Sequence, residues 1–128
     1  MMEIFNGNWK INDVKYQLNK VFIFGDNDLR IGKGGQAIIR GLNNTIGIRT
    51  KKAPNNNHNS FYSDEEYDQN ILKIKEDIDK ILNKMKYGYI IVLSNGGYGT
   101  GLAKLNLKAP KTFKYLCDEL FDKFNFKN

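Results

Sequence analysis

Asp26-Asn27-Asp28 follows the apolar run Val21-Phe22-Ile23-Phe24, with only Gly25 between them. A carboxylate at the end of a buried strand is placed to activate water, and an asparagine beside it to orient a ligand hydroxyl. Asp26 and Asp28 are therefore candidate bases. The same residue types also form and cap turns, so both roles stay open. Gly32, Gly34 and Gly35 come next and flank Lys33, and Gln36 leads into an apolar run. Glycines let the main chain approach a ligand, and the first N–H groups of a following helix point at an anion. A second loop of this kind runs from Ser94 to Ala103 and carries Gly96, Gly97, Gly99 and Gly101 around Tyr98 and Thr100. Together the two loops suggest a phosphate cradle. Its expected ligand-binding residues are Asn27, Lys33, Gly34, Gly35 and Gln36 from the first, and Gly97, Tyr98, Gly99, Thr100 and Gly101 from the second.

Other reactive side chains are scarce. His58 is the single histidine and Cys117 the single cysteine. With no histidine or cysteine cluster, a structural zinc site is excluded, and neither metal nor cofactor is expected. His58 lies in the polar 52–62 stretch, which reads as a loop able to cover a site; a lone loop histidine is most often just solvated. Cys117 falls on the apolar face of the last helix and reads as packing.

The elements that must position these loops are legible from pattern. Residues 21–24, 45–50 and 89–93 read as strands, the last a continuous apolar run of the kind covered on both faces. A helix is expected from Gly35 to Arg40, ended by Gly41 and Asn43-Asn44. Ser63 with Glu66 makes a capping box for a long helix. Its stripe is Tyr67, Ile71, Ile74, Ile78, Ile81 and Met85, and Gly88 ends it. Pro110 suits the first turn of a final helix, whose buried face is Phe113, Leu116, Cys117, Leu120, Phe121 and Phe124. In the first twenty residues, Phe5 to Asn8 looks like a turn and Trp9-Lys10-Ile11 like a short strand. Asn12 or Asp13 would cap a brief helix through Leu18. Trp9 is expected to plug one edge of the core. Strand and helix alternate, which predicts a single three-layer α/β domain over residues 1–128 with a central, largely parallel or mixed sheet. Ligands of such sheets bind at the carboxyl ends of the strands, so both glycine loops are expected to line one crevice.

Bulk composition narrows the function classes. The chain has 128 residues, 41% of them hydrophobic and 27% charged, as in ordinary globular proteins. No apolar run nears the roughly 20 residues of a membrane helix. The N-terminus has no basic region followed by an apolar stretch, so no signal peptide is expected, and the lone cysteine fits a reducing cytoplasm. A net charge of +6 favours an anionic partner. The lysines are scattered and no aromatic–basic motif occurs, which ranks nucleic acid last among partners. A homo-oligomer is left open.

Known phosphate motifs fit poorly. Counting from Gly25, the second glycine of a Walker A loop would fall at Arg30, and Gly32-Lys33 is followed by Gly34, not a hydroxyl residue. Gly32, Gly34 and Ala37 match G-x-G-x-x-A. That motif should start at the strand end, with an acid about 20 residues on, and neither holds here.

The stretch Asn27-Asp28-Leu29-Arg30-Ile31-Gly32-Lys33-Gly34-Gly35-Gln36-Ala37-Ile38 resembles the first ligand loop of macrodomains, the ADP-ribose-binding modules. Gly99-Thr100-Gly101-Leu102 resembles their second loop, which wraps the diphosphate. The resemblance implies a macrodomain-like fold, with Asn27 holding the distal ribose. Gly34, Gly35 and Gln36 would offer backbone to ribose and phosphate, and Gly99, Thr100 and Gly101 would hold the diphosphate. The adenine-reading Gly-Asp-Ile/Val of that family has Gly7-Asn8-Trp9 as its nearest counterpart here. Asn95-Gly96-Gly97-Tyr98-Gly99-Thr100 is in turn similar to the Pro-Gly-Gly-x-Gly-Thr motif of LOG-type nucleotide phosphoribohydrolases. Their catalytic glutamate region is replaced by Ala103-Lys104. The chain also looks like small phage and bacterial proteins sharing the Phe-Gly-Asp-Asn and Gly-Thr-Gly-Leu-Ala blocks.

These resemblances imply a binder of an ADP-ribose-like or cyclic-nucleotide-like ligand. Such a protein could sequester an NAD-derived signal, as a phage anti-defence sponge would. The alternative is a hydrolase of ADP-ribosyl or N-glycosidic bonds with Asp26 or Asp28 as base. A basic nucleic-acid-binding domain is the third reading.

Overall fold

Apolar runs and the glycines that end them set the order of elements. The computed structural model describes residues 1–128. Its strands are β1 (Met2–Phe5), β2 (Lys20–Asn27), β3 (Thr45–Lys51) and β4 (Ile90–Ser94). Its helices are α1 (Ile11–Val14), α2 (Tyr67–Lys86), α3 (Leu105–Lys108) and α4 (Pro110–Phe124), and a 3-10 turn, Gly35–Ile39, stands between β2 and β3. The sheet runs in the order β1-β4-β2-β3, and all neighbouring strands are parallel.

Period-two alternation along β2 and β4 builds the two sides of the core. Val21, Ile23, Ile91 and Leu93 pack with Ile74, Ile78 and Ile81 of α2 and with Leu116 and Leu120 of α4. Phe22, Phe24 and Val92 face the other way, onto Trp9, Val14 of α1, and Ala37 and Ile39 of the 3-10 turn. The result is a three-layer α/β domain with α2 and α4 on one face and the short elements on the other. No helix is long and apolar enough to cross a membrane.

Several elements differ from expectation. The first strand is Met2–Phe5, not Trp9 to Ile11; Ile11 instead opens α1, where the Lys10 N–H donates to Asp13 Oδ2 at 2.7 Å. Residues 35–39 form a 3-10 turn because Gly35 sits at φ +57°, outside the right-handed region an α-helix needs at its start. Ser63 Oγ accepts from the Glu65 N–H at 3.2 Å, but Glu66 closes no capping box and pairs with Lys52. Asp64 caps a different helix: its carboxylate accepts from the Lys111 and Thr112 N–H groups at the start of α4, at 2.9 and 3.0 Å. Phe121, expected on the buried face of α4, is exposed.

The topology makes one opening. Leaving β2, the chain turns onto the face of the 3-10 turn; leaving its neighbour β4, it turns onto the face of α4. Adjacent parallel strands whose exits part to opposite faces leave a crevice at their carboxyl ends.

Candidate functional site

A cavity of about 320 Å³ opens at that edge of the sheet. Gly7, Asn8 and Trp9 line it from the β1–α1 connection, Lys33, Gly35, Gln36 and Ile38 from the segment after β2, and Ser94 from the end of β4. Trp9 is both the core plug expected of it and a wall of the cavity. Its ring meets Phe22 edge-on, with centroids 5.8 Å apart, and its indole N–H donates to the Gln36 carbonyl at 2.9 Å. Lys33 is exposed and pairs with no carboxylate, the one charged side chain on the lining. The 3-10 turn begins with the Ala37 N–H bonding back to the Gly34 carbonyl at 3.1 Å. The amides ahead of a helical start have no partner within the turn itself and are left for solvent or a ligand.

The two glycine loops do converge, but not as a shared open mouth. The Gln36 side chain stands between them. Its Oε1 accepts from the Gly25 N–H of β2 at 2.8 Å, and its Nε2 donates to the Gly97 carbonyl of the second loop at 2.7 Å. A primary amide is one of the few side chains able to accept and donate across such a gap at once. The cavity therefore lies on the Trp9 side of Gln36, and Gly97, Gly99, Thr100 and Gly101 do not line it.

Several expected ligand residues have other work. Tyr98 is buried; its hydroxyl accepts from the Ser94 N–H at 2.8 Å and donates to the Ile23 carbonyl at 2.7 Å, tying β4 to β2 inside the core. Asn128 clamps its backbone, accepting from the Tyr98 N–H and donating to the Tyr98 carbonyl. Gly99 is a packing glycine: it sits at φ +85°, and a side chain there would meet Leu105 at 3.1 Å. Asn27 is turned onto its own loop, donating to the Ile31 carbonyl at 2.8 Å and accepting from the Leu29 N–H at 3.1 Å. Gly34 and Gly35 are exposed beside the cavity, Thr100 and Gly101 are exposed on the second loop, and His58 lies on the surface of the 52–62 loop.

The candidate bases are also engaged. Asp26 accepts from Arg40 at 2.5 Å, from Arg30 at 2.9 Å and from the Asn27 N–H at 2.7 Å. Burial alone would raise its pKa; the hydrogen bonds from Arg40, Arg30 and Asn27 outweigh that and hold the carboxyl below its usual range. Asp28 accepts from the Tyr62 hydroxyl at 2.5 Å and from Lys73 at 2.7 Å. Both carboxylates are thus taken up in charge-assisted hydrogen bonds within the fold.

Sequence reading missed the network to which Asp26 belongs. Arg30 also donates to Asp77 of α2 at 2.6 Å, and Asp77 holds Arg49 of β3. Arg30 adopts φ +56°, a left-handed backbone that non-glycine residues rarely take, which lets it reach back over the strand ends. The signal was present: Asp77 sits three residues after Ile74 and four before Ile81, inside the apolar stripe of α2.

The depressed pKa of Asp26 has a signed consequence. Its contribution to stability is fully present above the unfolded value of about 3.9 and is lost as pH falls through the folded value. Thermal unfolding between pH 2 and 6 is expected to show a shallower acid limb in Asp26→Asn than in wild type. Superimposable limbs would mean that the ion pairs do not couple to folding.

No curated protein and no solved structure matches this sequence. One family does, over residues 4–119, which takes in the cavity, both glycine loops and the Asp26–Asp77 network. The chain belongs to that family, a family of unknown function (DUF7831).

Proposed function

We propose that the chain binds a small anionic nucleotide of the ADP-ribose or cyclic-nucleotide class in the cavity beside Trp9, in a macrodomain-like manner, and returns it unchanged. The observation that carries this reading is the lining. One unpaired cation, Lys33, shares the lining with Gly35 of the 3-10 start and with the apolar Trp9 and Ile38. An anion and a flat apolar ring on the same ligand would each find a matching wall. Asn8 stands on that lining where the resemblance to macrodomains would put the adenine-reading side chain. Binding is favoured over hydrolysis because both candidate bases are held in ion pairs. Tight retention without turnover is what a sponge for an NAD-derived signal requires.

Gly34→Val tests the cradle. Gly34 has φ −81° and open space where a Cβ would go, so the variant is expected to fold with an unchanged Tm. By calorimetry with ADP-ribose and cyclic ADP-ribose, its affinity is expected to fall at least ~10-fold, about 1.4 kcal/mol, as the branched side chain crowds the amides. Lys33→Glu should weaken binding further by reversing the charge. Equal affinities in all three proteins would remove the reading. Mass spectrometry of ligand recovered from denatured complex is expected to show it intact.

A further inference from the structure

The second glycine loop leads to a different cluster of charge. We propose that Lys51, Lys104 and Lys108, gathered around the ring of Phe61, form a binding site for a phosphate or diphosphate group. It goes beyond the reading above, since none of these residues lines the Trp9 cavity.

The geometry is specific. The Lys51 ammonium lies 4.7 Å from the Phe61 ring centroid, that of Lys108 5.2 Å and that of Lys104 5.9 Å. Each is within the roughly 6 Å over which a ring face attracts a cation. Three separate segments deliver them. Lys51 ends β3 and forms an isolated antiparallel bridge with Phe61, which fixes the ring beside it. Lys104 follows the glycine loop with φ +49°, its N–H bonded to the Gly101 carbonyl at 3.1 Å. Lys108 closes the next turn, its N–H bonded to the Lys104 carbonyl at 2.8 Å. The loop from Gly99 to Gly101 thus positions two of the three cations.

No carboxylate offsets them. Lys52, Lys73, Lys75 and Lys114 all have an acidic partner within 3 Å, whereas Lys51, Lys104 and Lys108 have none. Lys51 is also only 7% exposed. Burial first, and then the neighbouring Lys104, pull its pKa below the ordinary value. Attraction to one ring holds each cation singly but does nothing about their mutual repulsion. Three like charges around one ring, with no carboxylate among them, are a costly arrangement in the free protein. It becomes favourable when a multiply charged anion enters. A phosphate or diphosphate group offers enough oxygens to accept from three ammonium groups, whereas a carboxylate offers two oxygens and one charge. A left-handed non-glycine residue at Lys104 is the kind of local strain that gathers at ligand clamps.

The test is calorimetric titration of the full chain with inorganic pyrophosphate and, separately, with ADP, which distinguishes a free from a nucleotide-borne phosphate. The variants are Lys51→Met, Lys104→Asn and Lys108→Ala; asparagine tolerates the left-handed backbone at 104. Pyrophosphate or ADP is expected to bind wild type and to lose at least ~10-fold in affinity in each variant, with Lys86→Ala, at the far end of α2, unchanged. The Lys51 side-chain pKa, followed by carbon NMR, is expected to rise when pyrophosphate is added. The proposal is overturned if wild type binds neither probe, or if the three variants match it. Loss of pyrophosphate binding in Lys33→Glu alone would return the phosphate to the Trp9 cavity. Binding of an oligonucleotide in place of both probes would assign the lysines to a nucleic-acid backbone, and equally overturns it.

Discussion

Asp77→Ala is expected to lower folding stability by about 3–5 kcal/mol, a fall in Tm of roughly 10–20 °C for a domain of this size. The Asp77 side chain is fully buried on α2. It accepts from Arg30 at 2.6 Å, from the Arg49 N–H at 2.8 Å and from the Arg49 guanidinium at 3.0 and 3.2 Å. Alanine leaves two guanidiniums and an amide without their acceptor, and the penalty for that exceeds the attraction the pair had contributed. Arg30 keeps Asp26 at 2.9 Å and the Gly47 carbonyl at 2.9 Å, and Arg49 keeps Glu76 at 2.9 Å, so the network is weakened rather than emptied. Asp77→Asn, which keeps the shape and one acceptor but not the charge, should lose about half as much. Because Arg30 anchors the segment that carries Lys33 to Gly35, ligand affinity in the Trp9 cavity should fall with it. Chemical denaturation would settle the matter: a loss under about 1 kcal/mol means α2 is held by its isoleucines alone. The reverse experiment is also informative. Replacing Asp77, Arg30 and Arg49 together by apolar residues of similar volume should recover much of the stability while loosening the loop.

Much of the frame is readable from the chain because its signals are local. β2 and β4 are apolar runs ended by glycine-rich segments, and α2 carries four isoleucines at helical spacing. Pro110 marks the start of α4. β1 was not readable: it is four residues long, at the sheet edge and only half-buried, so its pattern is too short to distinguish from a turn. At residues 35–40 pattern predicts a helix without its type, because it reports which face is apolar and not the φ of Gly35. The site fared similarly. Lys33, Gly35 and Gln36 are brought to the cavity, but nothing local in Gln36 says that its amide will bridge two loops. Tyr98 sits among glycines that suggest a ligand loop, and only the distant Ile23 carbonyl and Asn128 explain it. Lys51 stands 10 positions before Phe61, and Lys104 and Lys108 stand 43 and 47 positions after it, so the cluster forms across the sheet edge where periodicity reports nothing.

Gly47→Ala is expected to be as damaging as the loss of Asp77, for a purely steric reason. Gly47 lies in β3 opposite Phe24 of β2, with its backbone against the Asp26 side chain. A methyl group at 47 would stand 2.7 Å from Asp26 Cβ and 2.8 Å from Asp26 Cγ, far inside ordinary contact. Asp26 cannot swing away cheaply, because Arg40, Arg30 and the Asn27 N–H all hold it. Moving β3 instead would break the pairing of Gly47 and the bond from Arg30 to its carbonyl. Overpacking of this kind costs about 1–3 kcal/mol when only side chains shift, and breaking the charged bonds adds about 1.5–3 kcal/mol. Gly34→Ala is the control. It has a negative φ and nothing within 4 Å of the added carbon, so its Tm should stay level or rise slightly. A Gly47→Ala protein as stable as Gly34→Ala would mean that the Asp26 carboxylate is free to move, and the ion network that positions the Lys33 loop would lose its fixed point.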